Sequence, residues 1–462
     1  MTTSLARAAL LIGLASKSWA AESPFKVGNR DEILASSRDL AHDLMSLYKG
    51  NETGEIAGIL PGPPNVLKQG DYYWWEAGGF WNTFIDYWYL TGDETYNQLA
   101  VDGISSQAGD SRFGYAFMHP NWTASLGNGD QCVWALAALS AAERGFPAPA
   151  EGVPSWADLA QGVFDSQLWR WDREVENGTC GDGGLRWQVP PTNNGYNYKD
   201  SLSNGCFFNL GARLGRLNGN KTAIEVAEKA FSWMTEIGLI NTETWDVYDG
   251  GHVEHNCTDI NKAQFSASAS VVIQGAAFMY NITGNEEWRK RLDGLVGRTL
   301  KFFFPAGVAF EPPCEERESC TVDMTWLKSI LHRSLASVTQ LAPYTAGTIQ
   351  PVLETSAKAA VAQCTGGDSG RKCGFYWVDG IYQEPSSSGV GEQMNVLSAV
   401  LSLLAPEGKG IAAGPGTGTG GSGGGSNTQN PPPENSKPSG AGRNEIGMMA
   451  VLAGLGIWLA NM

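Results

Sequence analysis

The chain has 462 residues, 42% of them hydrophobic and 17% charged, a balance that can bury a large core and excludes disorder along the whole length. Acidic residues outnumber basic ones by 48 to 32, leaving a net charge of −16 and no Lys/Arg run to track a phosphate backbone, so nucleic acid is excluded as a partner. The 17 Trp, 14 Tyr and 17 Phe exceed what a core alone usually requires, and some of them suit a surface that binds flat, weakly polar faces such as sugar rings.

The N-terminus reads as a secretory signal over residues 1–20. Arg7 gives the positive charge, Ala8 to Ala15 the apolar stretch, and Ser18-Trp19-Ala20 a small-x-small cleavage site. The folded domain then covers residues 21–410. Within it, apolar periodicity predicts helices at 30–49, 79–91, 93–107, 130–144, 155–169, 203–217, 220–236, 262–282, 285–303, 323–341, 347–363 and 389–404. Leu34, Leu40, Leu44 and Leu47 mark the helical period in the first, Val133, Trp134, Leu136, Ala137 and Leu139 in the fourth. Only 182–199 has room for short strands.

Leu90-Thr91-Gly92-Asp93, Leu217-Asn218-Gly219-Asn220 and Ile282-Thr283-Gly284-Asn285 each fall between two helical patterns. Gly suits the left-handed position that ends a helix, and Asp or Asn caps the next. Hairpins recurring at about sixty-residue multiples suggest a helical toroid. Twelve helices in six hairpins close into an all-α (α/α)6 barrel, with the long loops 108–129, 170–202 and 238–261 on one rim, where a site would sit.

Beyond the helices, residues 411–440 form a Gly/Ser/Pro-rich spacer, and 441–462 end in the apolar tail Ile446 to Ala460. Small residues at Ser439, Gly440 and Ala441 before that tail match the signal for a glycosylphosphatidylinositol (GPI) anchor, which would hold the mature chain to the outer membrane leaflet through lipid. Secretion permits disulfides among the eight Cys. Cys314–Cys320 and Cys364–Cys373 are the expected local pairs, and Cys132, Cys180, Cys206 and Cys257 are left unassigned. Sequons at Asn51, Asn121, Asn177, Asn220, Asn256 and Asn281 offer glycosylation sites.

The chemistry concentrates at the three loops. An acid among four aromatics in Tyr72-Tyr73-Trp74-Trp75-Glu76 is hard to place in a core, because an unpaired buried carboxylate is costly. Asp130, in Leu126-Gly127-Asn128-Gly129-Asp130-Gln131, opens a helix, so it reads either as a cap or as a functional acid. His252-x-x-His255 with Glu254 lacks the further ligands that a zinc site needs, so neither metal nor cofactor is expected.

YYWWEAGGFWNTFIDYW (72–88), LGNGDQCVWALAALSAAE (126–143), CGDGGLRWQ (180–188), NNGYNYKDSLSNG (193–205), VYDG (247–250) and GAAFMYNITGN (275–285) together carry a resemblance. Over about 30–405 the chain resembles the family-76 glycoside hydrolases, endo-acting α-1,6-mannanases, most of all their GPI-anchored fungal cell-wall members. The resemblance implies an (α/α)6 barrel and a retaining double displacement on α-1,6-linked mannose by two carboxylates. It also allows transglycosylation, which would move the mannose-containing GPI glycan onto wall polysaccharide at the cell surface.

In the family motif Asn-Asp-Asp-Gln, the second Asp matches Asp130, implied as acid/base, while the nucleophile position falls on Gly129. Two further stretches depart from the family, at Gln264-Phe265-Ser266-Ala267-Ser268 and at Val322-Asp323-Met324. The substrate-binding residues expected are Trp75, Glu76, Asp86, Asn128, Gln131, Trp187, Asn193, Asn194, Tyr196 and Asp323, with Asp86 read equally as a buried hydrogen-bonding residue. A lone Asp130 implies hydrolysis far slower than with both acids, or a mannan-binding paralogue; Asp110 and Asp323 are candidate substitute acids.

Overall fold

The computed structural model describes residues 22–62, 72–109, 116–407 and 411, so the signal segment, the spacer beyond residue 411, the anchor segment and Asp110 lie outside the described residues. Among those described are twelve long helices and one short one. They are α1 (Arg30–Ser46), α2 (Trp74–Thr91), α3 (Asn97–Ser106), α4 (Asn128–Arg144), α5 (Trp156–Asn177), α6 (Ser201–Asn218), α7 (Lys221–Glu236), α8 (Ser266–Thr283), α9 (Glu286–Phe303), α10 (Pro312–Glu315), α11 (Leu327–Leu341), α12 (Ala346–Ala362) and α13 (Val390–Ser402).

The helices form two concentric rings. Helices α2, α4, α6, α8, α11 and α13 pack each on the next, and α13 returns to α2 to close the inner ring. Helices α3, α5, α7, α9 and α12 each pair with the inner helix before them, and α1, from the start of the chain, packs on α13, from its end. This is the expected barrel, with the sixth hairpin made by the two ends of the domain.

The sequence accounts for which helix goes inside. Outer helices are amphipathic: α7 buries Ala223, Ala227, Ala230, Phe231, Trp233 and Met234, a single stripe at helical spacing. Inner helices are buried over most of their surface, and α8 is buried without a break from Ser266 to Met279. Small residues let the inner helices approach; a Cβ on Gly275 would stand 2.5 Å from the Phe208 ring. The three hairpin glycines Gly92, Gly219 and Gly284 all take left-handed φ.

Several helix starts differ from expectation for local reasons. Helix α2 begins at Trp74, because Glu76 Oε2 accepts the Tyr73 amide at 2.6 Å, and Gly78-Gly79 lie inside the helix against Trp134 and Trp326. Helix α3 begins at Asn97, because Asp93 accepts from Thr95 and Tyr87 instead of capping a helix. Helix α8 begins at Ser266, whose amide is held by the buried carboxyl of Glu311 at 2.9 Å.

The long loops meet on one rim. Strand β1 (Tyr198–Asp200) pairs antiparallel with β2 (Gly250–His252), joining the second loop to the third. A bridge between Gly127 and Gln188 joins the first to the second. The disulfide Cys180–Cys257 ties the second loop to the third again, and Cys314–Cys320 and Cys364–Cys373 close the local loops expected of them. Cys132 and Cys206 remain as free, buried thiols on α4 and α6.

Asp86 is not a cleft residue. It lies buried on inner helix α2, paired with Arg144 of α4 and Arg333 of α11, and Arg333 also donates to Thr83 Oγ1 at 2.7 Å. A carboxylate of this type, on a helix rich in aromatics, cannot be told from a cleft acid until its partners are known. Asp86→Asn would leave two buried guanidinium groups without their counter-charge. It should destabilise the barrel by about 3–5 kcal/mol, read as a lowered unfolding midpoint, while mannotriose affinity of the folded fraction stays at the parental value.

Candidate active site

Under the rim lies a cleft of about 890 Å³. Aromatic rings from four segments form its walls: Tyr73 and Trp75 at the start of α2, Trp122, Trp187 and Trp326. Trp187 is 43% exposed, which leaves ring surface free for a ligand. Its ring rests on the backbone at Gly195, where any Cβ would stand about 2.1 Å from it. Trp75 and Trp326 pack together with ring centroids 4.9 Å apart. Such faces suit the apolar faces of pyranose rings.

Four carboxylates line the same space: Asp130, Asp200, Asp249 and Asp323. Asp130 stands in the first turn of α4, and its Oδ2 accepts the Gly127 amide at 3.1 Å. It is thus both the cap and a cleft acid. Burial pushes its carboxyl up to about 7 against the Gly127 hydrogen bond, and the nearby Asp200 pushes it further the same way. Asp130 therefore carries a proton into the near-neutral range, as a general acid must.

Asp200 ends β1 and caps α6, its Oδ2 accepting the Ser203 amide at 3.0 Å. Burial pushes it up to about 6, opposed by Ser203 and assisted by Asp249. Asp249 is raised by burial too, while Tyr198 Oη and Asn261 Nδ2 donate to its Oδ2 at 2.7 and 2.9 Å.

Of the residues expected at the site, Gly129, Asp130, Trp75, Trp187, Asn193, Asn194 and Asp323 line the cleft. The others have different surroundings. Glu76 is buried and caps α2. Asn128 and Gln131 are buried and both accept from Arg170, at 2.5 and 2.8 Å. Tyr196 stacks beneath the Arg186 guanidinium, 4.4 Å from its ring centroid. Phe265, Ala267, Ser268 and Met324, from the two departing stretches, all face the cleft. The structure adds Asp200, Asp249, Tyr198, Tyr73, Trp122 and Trp326, which the sequence reading did not single out. The signal for Asp200 was present in Asp200-x-x-Ser203, a helix-cap pattern within a stretch already carrying family motifs.

His252 and His255 do find a third group. Asp259 Oδ2 lies 2.7 and 2.8 Å from their Nδ1 atoms, on the exposed outer side of the third loop, while Glu254 bonds Asn197. The ring-to-carboxylate hydrogen bonds account for this cluster.

Residues 32–414 match the description Glycosyl hydrolase family 76. The chain belongs to this family. It is 37% identical over 378 residues to the mannan endo-1,6-alpha-mannosidase DCW1 of Saccharomyces cerevisiae, covering 82% of this chain and 80% of that one. It is 36% identical over 386 residues to the mannan endo-1,6-alpha-mannosidase DFG5 of the same yeast, covering 82% and 81%. The crystal structure of Dfg5 from Chaetomium thermophilum in complex with glucosamine superimposes with a TM-score of 0.81 at 51% identity, covering 85% of this chain and 95% of that one. The family-76 protein is therefore a glycoside hydrolase by kinship, and its barrel is that of its relatives.

Four of the six sequon asparagines, Asn51, Asn121, Asn177 and Asn256, are exposed. Asn281 is exposed as well, but its Nδ2 donates to the Leu341 carbonyl at 2.9 Å, a bond that a glycan there would displace. Asn220 caps α7 through Oδ1.

Proposed function

We propose that this protein is a mannan endo-1,6-α-mannosidase of the fungal cell wall. It hydrolyses α-1,6-linked mannose, or transfers it to a wall polysaccharide, with α-1,6-mannan or the mannose-containing GPI glycan as donor. The observation that carries this reading is Asp130 lining an aromatic cleft on a family-76 barrel. Trp75, Trp187, Asn193, Asn194 and Asp323 bind the sugar chain, and Asp130 protonates the leaving glycosidic oxygen. The reading needs no metal or organic cofactor. The curated relatives are mannosidases by name, which supports the linkage.

Residues 1–20 would direct the chain to the secretory pathway, 411–440 space it from the surface, and 441–462 be exchanged for a GPI anchor. None of the described helices is long and apolar enough to cross a membrane. A phosphatidylinositol-specific phospholipase should release the protein from expressing cells; retention with Ile446–Ala460 still attached would overturn the lipid anchor.

The activity is tested on the secreted domain with α-1,6-mannotetraose, and with α-1,2- and α-1,3-linked oligosaccharides as controls. Internal cleavage of the α-1,6 chain alone is expected. Tight binding of that chain with no cleavage over days would instead make the protein a mannan-binding wall component.

A further inference from the structure

Resting on the mannosidase reading, we infer that Arg170, on the outer helix α5, is a positioning residue for the reaction. It sets the orientation of two side-chain amides that lock the turn carrying Asp130 to both neighbouring loops. Asn128, Gly129, Asp130 and Gln131 make up the first turn of α4. Arg170 Nη1 donates to Asn128 Oδ1 at 2.5 Å and to Gln131 Oε1 at 2.8 Å, so one nitrogen grips the two residues that bracket Gly129 and Asp130. Gln167, one turn earlier on the same face of α5, donates its Nε2 to the Asn128 backbone carbonyl at 2.8 Å.

A guanidinium has only donors, whereas an amide side chain has an acceptor at one end and donors at the other. Arg170 therefore draws both amide oxygens toward itself and turns both NH2 groups outward. Asn128 Nδ2 then donates to the Arg186 carbonyl at 2.8 Å, and Gln131 Nε2 to the Ala116 carbonyl at 2.5 Å. The first of these bonds joins another, from the Asn128 backbone amide to the Trp187 carbonyl at 2.9 Å. Together they fix the segment that presents the Trp187 ring to the cleft. The Ala116 bond fixes the first loop ahead of Trp122, another ring of the cleft wall.

The grip is charge-assisted, and no carboxylate of a described residue shares the guanidinium. Its Nη2 has only Ser166 Oγ at 3.5 Å and Met118 Sδ at 3.9 Å. Arg170 does not bond Asp130, whose Oδ2 is held by the Gly127 amide, so it acts through the turn. Misplacing that turn moves the carboxyl relative to the glycosidic oxygen, and an error of about 1 Å costs roughly 10²-fold in rate.

Three variants separate donor-only orientation from the filling of space. Arg170→Met keeps bulk and removes the donors. Arg170→Gln keeps hydrogen bonding but lets the facing amides turn over. Arg170→Lys keeps a donor-only cation, and because both bonds leave one nitrogen, an ammonium can make both. On α-1,6-mannotetraose the Met and Gln variants should lose roughly 10²-fold in kcat. Mannotriose affinity should change far less, since Tyr73, Trp75 and Trp326 stand on other elements. Lys should recover most of the rate. Amide hydrogen exchange reads the clamp without turnover: residues 116–118, 126–131 and 186–188 should exchange faster in the Met and Gln variants, and as in the parent with Lys. Met or Gln variants with parental kcat in the folded fraction, or a Lys variant as slow as Met, would overturn the inference and leave the mannosidase reading intact. A parent that cleaves no α-1,6-mannan overturns that reading instead. The exchange pattern then decides the clamp, and parental exchange of all three segments in Arg170→Met overturns it.

Discussion

Gly129→Asp is expected to raise kcat on α-1,6-mannotetraose by roughly 10⁴–10⁶-fold, with the α anomer as the first product. Removing a nucleophile from a working catalytic unit costs roughly 10⁴–10⁶-fold. The site tolerates the change. Position 129 lies in the first turn of α4 with helical backbone, and its Cβ direction meets only ordinary contacts. A carboxylate in that turn is favoured by the helix dipole, and Gly is a poor helix residue to lose.

With a covalent intermediate available, transfer to an added mannose acceptor should appear alongside hydrolysis. The comparison is read from initial rates and product anomers of parent and variant at matched folding. A folded variant that binds mannotriose, is no faster and keeps the parental stereochemistry would show that residue 129 is not the nucleophile position.

The framework was legible because two signals were redundant. Outer helices such as α7 and α9 repeat apolar residues at helical spacing, and glycines 92, 219 and 284 mark the hairpin turns by the backbone they demand. Inner helices gave weaker boundaries, since a segment buried on all sides, as in α8, has no polar face to show where it enters the core. The start of α8 is set by Glu311, more than forty residues away in sequence, which no local pattern reveals.

The site was legible where residue type and motif agreed, as at Asp130, Trp187 and Asn194. It was not legible where tertiary partners decide. Asp86 and Asp200 are both single acids beside a helix terminus or within a helix, and sequence alone ranks the first above the second. Two arginines claim Asp86, whereas pairing of β1 with β2 carries Asp200 and Asp249 together into the cleft. Asn128 and Gln131 flank Gly129 and Asp130 in sequence, but helical geometry turns them toward Arg170 and away from the cavity.

Asp130→Asn should reduce hydrolysis of α-1,6-mannotetraose by roughly 10²–10⁴-fold, because the amide cannot give a proton to the leaving oxygen. The loss should nearly vanish on a dinitrophenyl α-1,6-mannobioside, whose leaving group departs without protonation; a merely structural defect would slow both substrates alike. The pH profile carries the sign of each group. In the parent, kcat/KM should fall as pH passes about 7, where Asp130 loses its proton. In Asp130→Asn the falling limb should disappear. A falling limb near 7 that survives in Asp130→Asn would assign the proton to another group in the cleft and remove Asp130 from the role of acid.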